Sequence, residues 1–185
     1  MPLLILIRHI PTSATQERIL LGDLNYAIDI SSHRDKLANL INLMSRNDIT
    51  AIYSSTRERS ILTAKEVFPQ KNIIIDKRLD GKGLGIWQGK KIETLSLQYP
   101  DGFDNDGNLL INAKPLNGES IDFFLNRIKA FINELRMSYQ KTDKIAIFTH
   151  ASVIVTMQYF FNADKDFSSL SIKGIEYLMP YYFAL

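Results

Sequence analysis

The chain holds three histidines, His9, His33 and His150, and two of them close short apolar runs. Leu3-Leu4-Ile5-Leu6-Ile7 stops at Arg8-His9, with Pro11 close behind. Lys144-Ile145-Ala146-Ile147-Phe148-Thr149 stops at His150 in the same way. Arg57 and Arg59 follow a third such run, Thr50-Ala51-Ile52-Tyr53. An imidazole is uncharged and available as a nucleophile near neutral pH, and arginine binds phosphoryl oxygens in a planar fork. Two arginines, two histidines and the start of a helix after Ala151-Ser152 would make a pocket for a dianionic phosphoryl group. Arginines there would neutralise charge on the equatorial oxygens during in-line transfer. The simpler reading of one such histidine is a half-buried polar residue at a strand end, but two at matching ends carry more weight. A metal site needs carboxylates that stand at ligand spacing to neither histidine, so no metal or other cofactor is expected. His33, after Ser31-Ser32 on a predicted helix, reads as a solvated residue.

These residues need a scaffold that brings strand ends to one edge. Short apolar runs bounded by turn residues fit strands buried on both faces of a parallel sheet, whose carboxyl ends border the ligand crevice. Strands are expected at 3–8, 50–53, 72–76 and 144–149, with a last one within 170–179. Helices are expected over 33–46, 57–67, 92–98, from Ile121 to Leu135, and through Val153, Val155, Met157 and Phe160. Asn117 or Ser120 would cap the long helix, whose stripe is Ile121, Phe124, Leu125, Ile128, Ile132 and Leu135. Phe123, Phe124 and Phe131 read as core. Strands alternating with helices give an α/β fold, a three-layer α/β/α sandwich with a mostly parallel central sheet. The whole of 1–185 reads as one domain, with residues 100–118, rich in Pro, Gly, Asp and Asn, as a small surface insertion. Residues 11–32 are long for a loop without structure, which points to function or a short helix.

Composition removes other classes. The chain has 185 residues, 45% of them apolar and 23% charged, with a net charge of +2. That charge supports neither nucleic-acid nor membrane binding. Without cysteine there is no disulfide, thiolate metal site or cysteine nucleophile. No signal-peptide pattern and no membrane-length apolar stretch appear, so the expected location is the cytoplasm. Gly81-Lys82-Gly83-Leu84-Gly85 fails as a nucleotide loop, because Leu84 and Lys91 stand where a P-loop ending at Gly89-Lys90 needs glycine and Ser or Thr. A tight loop anchored by Trp87 is the better reading. The closing Tyr181-Tyr182-Phe183-Ala184-Leu185 is expected to pack on the core. The oligomeric state is not readable.

Taken together and in order, these segments resemble the histidine phosphatase superfamily, the phosphoglycerate-mutase-like proteins. Arg8-His9-Ile10-Pro11-Thr12 is similar to its Arg-His-Gly-x-Thr signature. Ser55-Thr56-Arg57-Glu58-Arg59-Ser60-Ile61-Leu62-Thr63-Ala64 is similar to its Ser-x-x-x-Arg-Ala-x-Gln-Thr-Ala helix start, which selects Arg59 over Arg57. Gly85-Ile86-Trp87-Gln88-Gly89 resembles Gly-x-Trp-Glu-Gly. Gly118-Glu119-Ser120 resembles the Gly-Glu-Ser step before a long helix, and Thr149-His150-Ala151 the Ser-His-Gly element. The small size resembles compact α-ribazole-phosphatase-like members.

The resemblance implies that His9 is the nucleophile that becomes phosphorylated, with Arg8, Arg59 and His150 completing the phosphate pocket and Thr12, Gly22 and Ala151 contributing to substrate binding. The implied partner is a small phosphorylated metabolite or another phosphoryl substrate. Three departures stand out. Ile10 and Ala151 replace glycines beside the histidines, and the family's acidic proton donor falls on Gly81. Asp80, one residue away, is the candidate replacement, with Glu119 the alternative, although a structural role at the helix start is the plainer reading of Glu119. The implied function is a phosphomonoester hydrolase working through a phosphohistidine, with a weakened or relocated general acid. The alternatives are a catalytically impaired phosphoryl-binding module and, less well matched, a mutase-type phosphotransferase. A lost general acid costs ~10²–10⁴-fold, most for alkoxide leaving groups, so good leaving groups would be preferred.

Overall fold

A computed structural model describes residues 2–161 and 167–185. Five strands form one sheet in the order β3-β2-β4-β1-β5. They are β1 (Leu3–Arg8), β2 (Ala51–Ser54), β3 (Ile74–Ile75), β4 (Lys144–Thr149) and β5 (Pro180–Ala184). The first four run parallel and β5 returns antiparallel along β1. The helices are α1 (Ser13–Gln16), α2 (Arg34–Ser45), α3 (Glu58–Val67), α4 (Ile92–Gln98), α5 (Ile121–Ser138) and α6 (Ala151–Phe161).

Side chains alternate across a strand, so each central strand feeds two cores. Leu4 and Leu6 of β1, with Ile145 and Ile147 of β4, pack against α5 and α6 through Phe124, Ile128, Phe131, Val153 and Met157. Ile5, Ile7, Ala146 and Phe148 face the other way, onto Leu37, Leu40 and Met44 of α2 and Ala64 and Val67 of α3. The result is the expected three-layer sandwich. Ser120 caps α5, its Oγ accepting the Phe123 N–H at 3.3 Å. Among the described residues no helix is long and apolar enough to cross a membrane.

Five expectations are corrected. The last strand is Pro180–Ala184, and 170–179 are bends and turns. Proline has no N–H for the ladder and is tolerated as the first residue of an edge strand. Residues 100–118 are not simply a surface insertion: Phe103, Leu109 and Ala113 form a third core with Leu20, Leu84, Trp87 and Leu95. Phe123 is 65% exposed, because it sits about 100° around the helix from the buried Phe124. His33 belongs to a 3₁₀ turn ahead of α2 and is half-buried. β3 is shorter than 72–76, and the long segment after β1 does carry a short helix, α1.

Candidate active site

The register of the sheet assembles the site. Arg8 pairs with Thr149, and the His9 N–H donates to Thr149 O at 3.0 Å, so His9 and His150 leave neighbouring strands side by side. Their ring centroids are 5.1 Å apart. Ser54 pairs with Phe148 on the other flank, and Ser55 N–H donates to Phe148 O at 3.0 Å. Three polar side chains therefore stand in a row at the carboxyl edge, where α3 and α6 begin.

Both imidazoles are buried. His9 Nδ1 lies 2.6 Å from Ile10 O. A carbonyl can only accept, so the proton is on Nδ1 and the lone pair is on Nε2. Arg59 Nε donates to that Nε2 at 3.2 Å. Burial, reinforced by the charges of Arg59 and Arg8, holds the His9 pKa well below its ordinary 6.5. His150 is held down in the same way, by burial first and then by His9, Arg59, Arg57 and Arg8. His9 is thus a neutral imidazole whose unprotonated Nε2 faces Arg59.

Arg59 is buried too. Its Nη1 donates to Leu24 O at 3.1 Å and Nη2 to Gly22 O at 2.8 Å. Burial, helped by Arg57, lowers its pKa to about 10. Gly22 has φ +52°, and a Cβ there would fall 2.1 Å from Gln88 Oε1. Glycine is what lets that carbonyl turn to Arg59. Arg8 stacks on the Tyr177 ring, its Cζ 3.5 Å from the centroid, and donates to Ile175 O, while its Nε is buried without a hydrogen-bond partner among the described residues. Tyr177 also meets His9 edge-on at 5.6 Å.

Arg8, His9, Gly22, Arg59, Gly81, His150, Ala151 and Ser152 line one pocket of about 180 Å³. That is below the ~300–1,000 Å³ typical of drug-sized ligands, so it suits a phosphoryl group and a small remainder. Two sequence candidates lie elsewhere. Thr12 is buried beside the site without lining the pocket. Asp80 is turned away. It accepts from Thr56 N at 2.8 Å and from Thr56 Oγ1 at 2.7 Å, pairs with Arg57 at 3.0 Å, and faces a separate cavity with Asp23, Glu119 and Arg127. Arg57 is thereby spent on Asp23 and Asp80. Glu119 is gripped by Arg127 at 2.6 and 2.9 Å and accepts the Gly83 N–H at 3.0 Å, so it ties down the 78–83 loop.

The departures beside the histidines are accommodated differently. Ile10 points into the core with α2 and α3 and leaves only its backbone at the site, its N–H on Thr63 Oγ1 at 2.9 Å. Ala151 lines the pocket. Gly81 lines it as well, next to His150. No carboxylate is among the lining residues, and no group of His, Asp and Glu able to hold a metal occurs among the described residues.

Three site residues escaped the sequence reading. Nothing in the sequence pairs Ser55 with His150, whose Nε2 lies 2.9 Å from the serine Oγ. Tyr177 lay in the misread strand and gave no signal. Lys82, buried in the pocket wall, stands in a glycine-rich loop whose composition carries no sign of its burial.

Comparison with known proteins gives the family. The Histidine phosphatase superfamily (branch 1) matches residues 4–170. Phosphoserine phosphatase 1 of Hydrogenobacter thermophilus is 32% identical over 122 residues, which are 64% of this chain and 58% of that protein. The chain thus spans under two thirds of that relative. Among solved structures, Bacillus stearothermophilus YhfR superposes with TM-score 0.78 at 25% identity, covering 96% of this chain and 86% of that one. A mycobacterial glucosyl-3-phosphoglycerate phosphatase superposes with TM-score 0.77 at 18% identity, covering 92% and 88%, a likeness of fold.

Proposed function

The chain belongs to the histidine phosphatase superfamily, and from that premise we propose that it hydrolyses small phosphomonoesters through a phosphohistidine on His9. The observation that carries the reading is the neutral His9 ring, its Nδ1 on Ile10 O and its Nε2 facing Arg59.

The phosphoryl dianion enters between Arg8 and Arg59, Arg59 gives up its resting hydrogen bond to the imidazole, and both guanidinium groups align on the non-bridging oxygens. His9 Nε2 attacks phosphorus in line, the ester P–O bond breaks, and the leaving group departs with the bond pair. The Ile10 carbonyl stabilises the Nδ1–H as positive charge grows on the ring. Water then attacks phosphorus, the P–N bond breaks, and phosphate and neutral His9 are restored. His150, oriented by Ser55, and the first N–H groups of α6 complete the cradle. With Gly81 where the family resemblance puts an acid and Asp80 bound to Thr56 and Arg57, the leaving group receives little help with its proton. Aryl and acyl phosphates are therefore the favoured substrates.

The test is turnover of p-nitrophenyl phosphate between pH 5 and 8 by wild type and His9→Ala, with trapping of an acid-labile, alkali-stable phosphoenzyme. Loss of both turnover and label in His9→Ala is expected. Turnover that survives in the variant would remove His9 from the mechanism. The absence of a pocket carboxylate favours one rival, a phosphoryl-binding module. That rival is adopted if vanadate raises the melting temperature while no ester is cleaved.

A further inference from the structure

Arg8, one of the two arginines assigned to the phosphoryl group, has no anionic partner. Among the described residues no carboxylate pairs with it, whereas Arg57, Arg78 and Arg127 each have one. Of its five N–H donors, one goes to Ile175 O, and the Nε finds no hydrogen-bond partner among the described residues. Burial keeps its pKa below the ordinary arginine value. A long side chain with so few bonds needs something else to fix its direction.

Residues 175–178 supply it. Tyr177 lays its ring on the guanidinium, whose Cζ stands 3.5 Å from the ring centroid. Ile175 O takes the one donated N–H, and the Leu178 N–H donates to Arg8 O at 3.0 Å. Leu178 reaches that carbonyl with φ +58°, a left-handed conformation that a leucine adopts only where its surroundings impose it. The segment is itself tied down. The Glu176 N–H donates to the Tyr181 hydroxyl at 2.7 Å, and that hydroxyl donates to Gly174 O at 3.1 Å. The Tyr177 hydroxyl accepts from Thr15 Oγ1 at 3.4 Å, so the ring is held from α1 as well. The same ring meets His9 with the two planes at 71°, so one aromatic side chain borders both the cation and the nucleophile.

We infer that Tyr177 is a positioning residue for catalysis: its π face holds Arg8 by the flat side and leaves the N–H edge of the guanidinium for the non-bridging oxygens. The inference rests on the hydrolase reading of the same pocket. A carboxylate would also orient Arg8, but through the same N–H groups, and the substrate would have to displace it. The negative face of an aromatic ring attracts the cation without competing for those donors. Tyr177 acts through Arg8 and transfers no proton.

The test measures orthovanadate affinity by calorimetry, and kcat/KM for p-nitrophenyl phosphate, in variants of Tyr177. Tyr177→Leu removes the π face and should weaken orthovanadate binding about 3–30-fold, with kcat/KM falling by a similar factor. Tyr177→Phe keeps the face without the hydroxyl and should recover most of the loss. Pentafluorophenylalanine at position 177 has the shape of phenylalanine without the negative face, so it should behave as leucine does. In an Arg8→Gln background, Tyr177→Leu should change the affinity by less than about twofold, because the residue it acts through is gone. Equal affinity with phenylalanine and its fluorinated analogue would overturn the assignment. So would a Tyr177→Leu loss that is as large without Arg8 as with it. The fluorinated comparison decides even if Tyr177→Leu does not fold. A wild type that binds orthovanadate and cleaves no ester removes the hydrolase reading, and the affinity series still decides on Tyr177. A wild type that binds no orthovanadate overturns the inference, since Arg8 then holds no oxyanion.

Discussion

Installing a carboxyl at position 81 should selectively rescue poor leaving groups. The backbone of Gly81 lies outside the left-handed region, so an L side chain is conformationally allowed. A Cβ there would meet His150 Cγ at 3.3 Å, His150 Cβ at 3.4 Å and Ser152 Oγ at 3.6 Å. The Ser152 contact is an ordinary one, but His150 must yield by a few tenths of an ångström, at a cost of about 1 kcal/mol. Reduced freedom of the unfolded chain returns about 0.4–1 kcal/mol. Gly81→Glu should therefore melt within about 4 °C of wild type. Because the position borders His150 inside the pocket, the new carboxyl can reach a leaving oxygen. General acid catalysis contributes ~10²–10⁴-fold, or about 2.7–5.4 kcal/mol of barrier. The assay is kcat/KM for ethyl phosphate and p-nitrophenyl phosphate in wild type, Gly81→Glu and Gly81→Ala. Wild type should favour the aryl ester by at least ~10²-fold. The glutamate should close most of that gap, and the alanine, with the same contact and no proton, should not. Comparable rates on both esters in wild type would show that no acid is missing. A folded, vanadate-binding Gly81→Glu without selective gain would show that position 81 does not reach the leaving group.

Stability should be pH-dependent through the imidazoles. His9 and His150 have folded pKa values held below 6.5, first by burial and then by neighbouring charge. The unfolded chain therefore binds more protons, and stability is lost as pH falls from about 7 through 6.5 toward the folded values. The melting temperature should drop between pH 7 and 5, and His9→Gln should flatten that slope. A flat wild-type profile would contradict the buried neutral histidines. Asp80→Asn breaks the Arg57 pair and weakens the Thr56 contacts, so it should lower stability by about 1–3 kcal/mol in denaturant melts. Its preference for aryl over alkyl esters should be unchanged, whereas a shift toward aryl esters would restore Asp80 as proton donor. Ser55→Ala frees His150 Nε2 and should lower kcat by about tenfold, the size of one lost hydrogen bond, with far-UV circular dichroism unchanged. Unaltered kcat would leave Ser55 a purely local cap.

The scaffold was legible where one physical signal dominated. Each central strand is an apolar run ended by polar residues, because a strand covered by helices on both faces has no solvent side. That pattern located β1, β2 and β4, and with them the edge that gathers His9, Ser55 and His150. Alternation misled at 170–179 because its apolar residues serve separate partners. Leu170 O accepts the Ile111 N–H, Ile175 O accepts Arg8, and the Leu178 N–H donates to Arg8 O. A period of two cannot distinguish a ladder from three separate anchors. Residues 100–118 misled for the opposite reason: turn formers dominate the composition, while a few buried side chains complete the core around Trp87.

The same distinction separates what was readable in the site from what was not. Arg8 and His9 are positioned by the strand that ends in them, so sequence neighbours indicate spatial ones. Arg59, by contrast, resembles Arg57 two residues earlier, and their fates are decided by distant partners. Arg57 meets Asp23 and Asp80, while Arg59 meets His9 and the Gly22 carbonyl. Ile10 looks like an obstruction beside a phosphate until the strand's exit turns it into the core between α2 and α3. Lys82 looks like a solvated loop residue until the third core closes over it. In both cases the reversal comes from packing between segments far apart in the chain. Arg8, His9 and His150 are therefore local to strand ends, whereas the roles of Arg59 and the burial of Lys82 are defined by tertiary contacts alone.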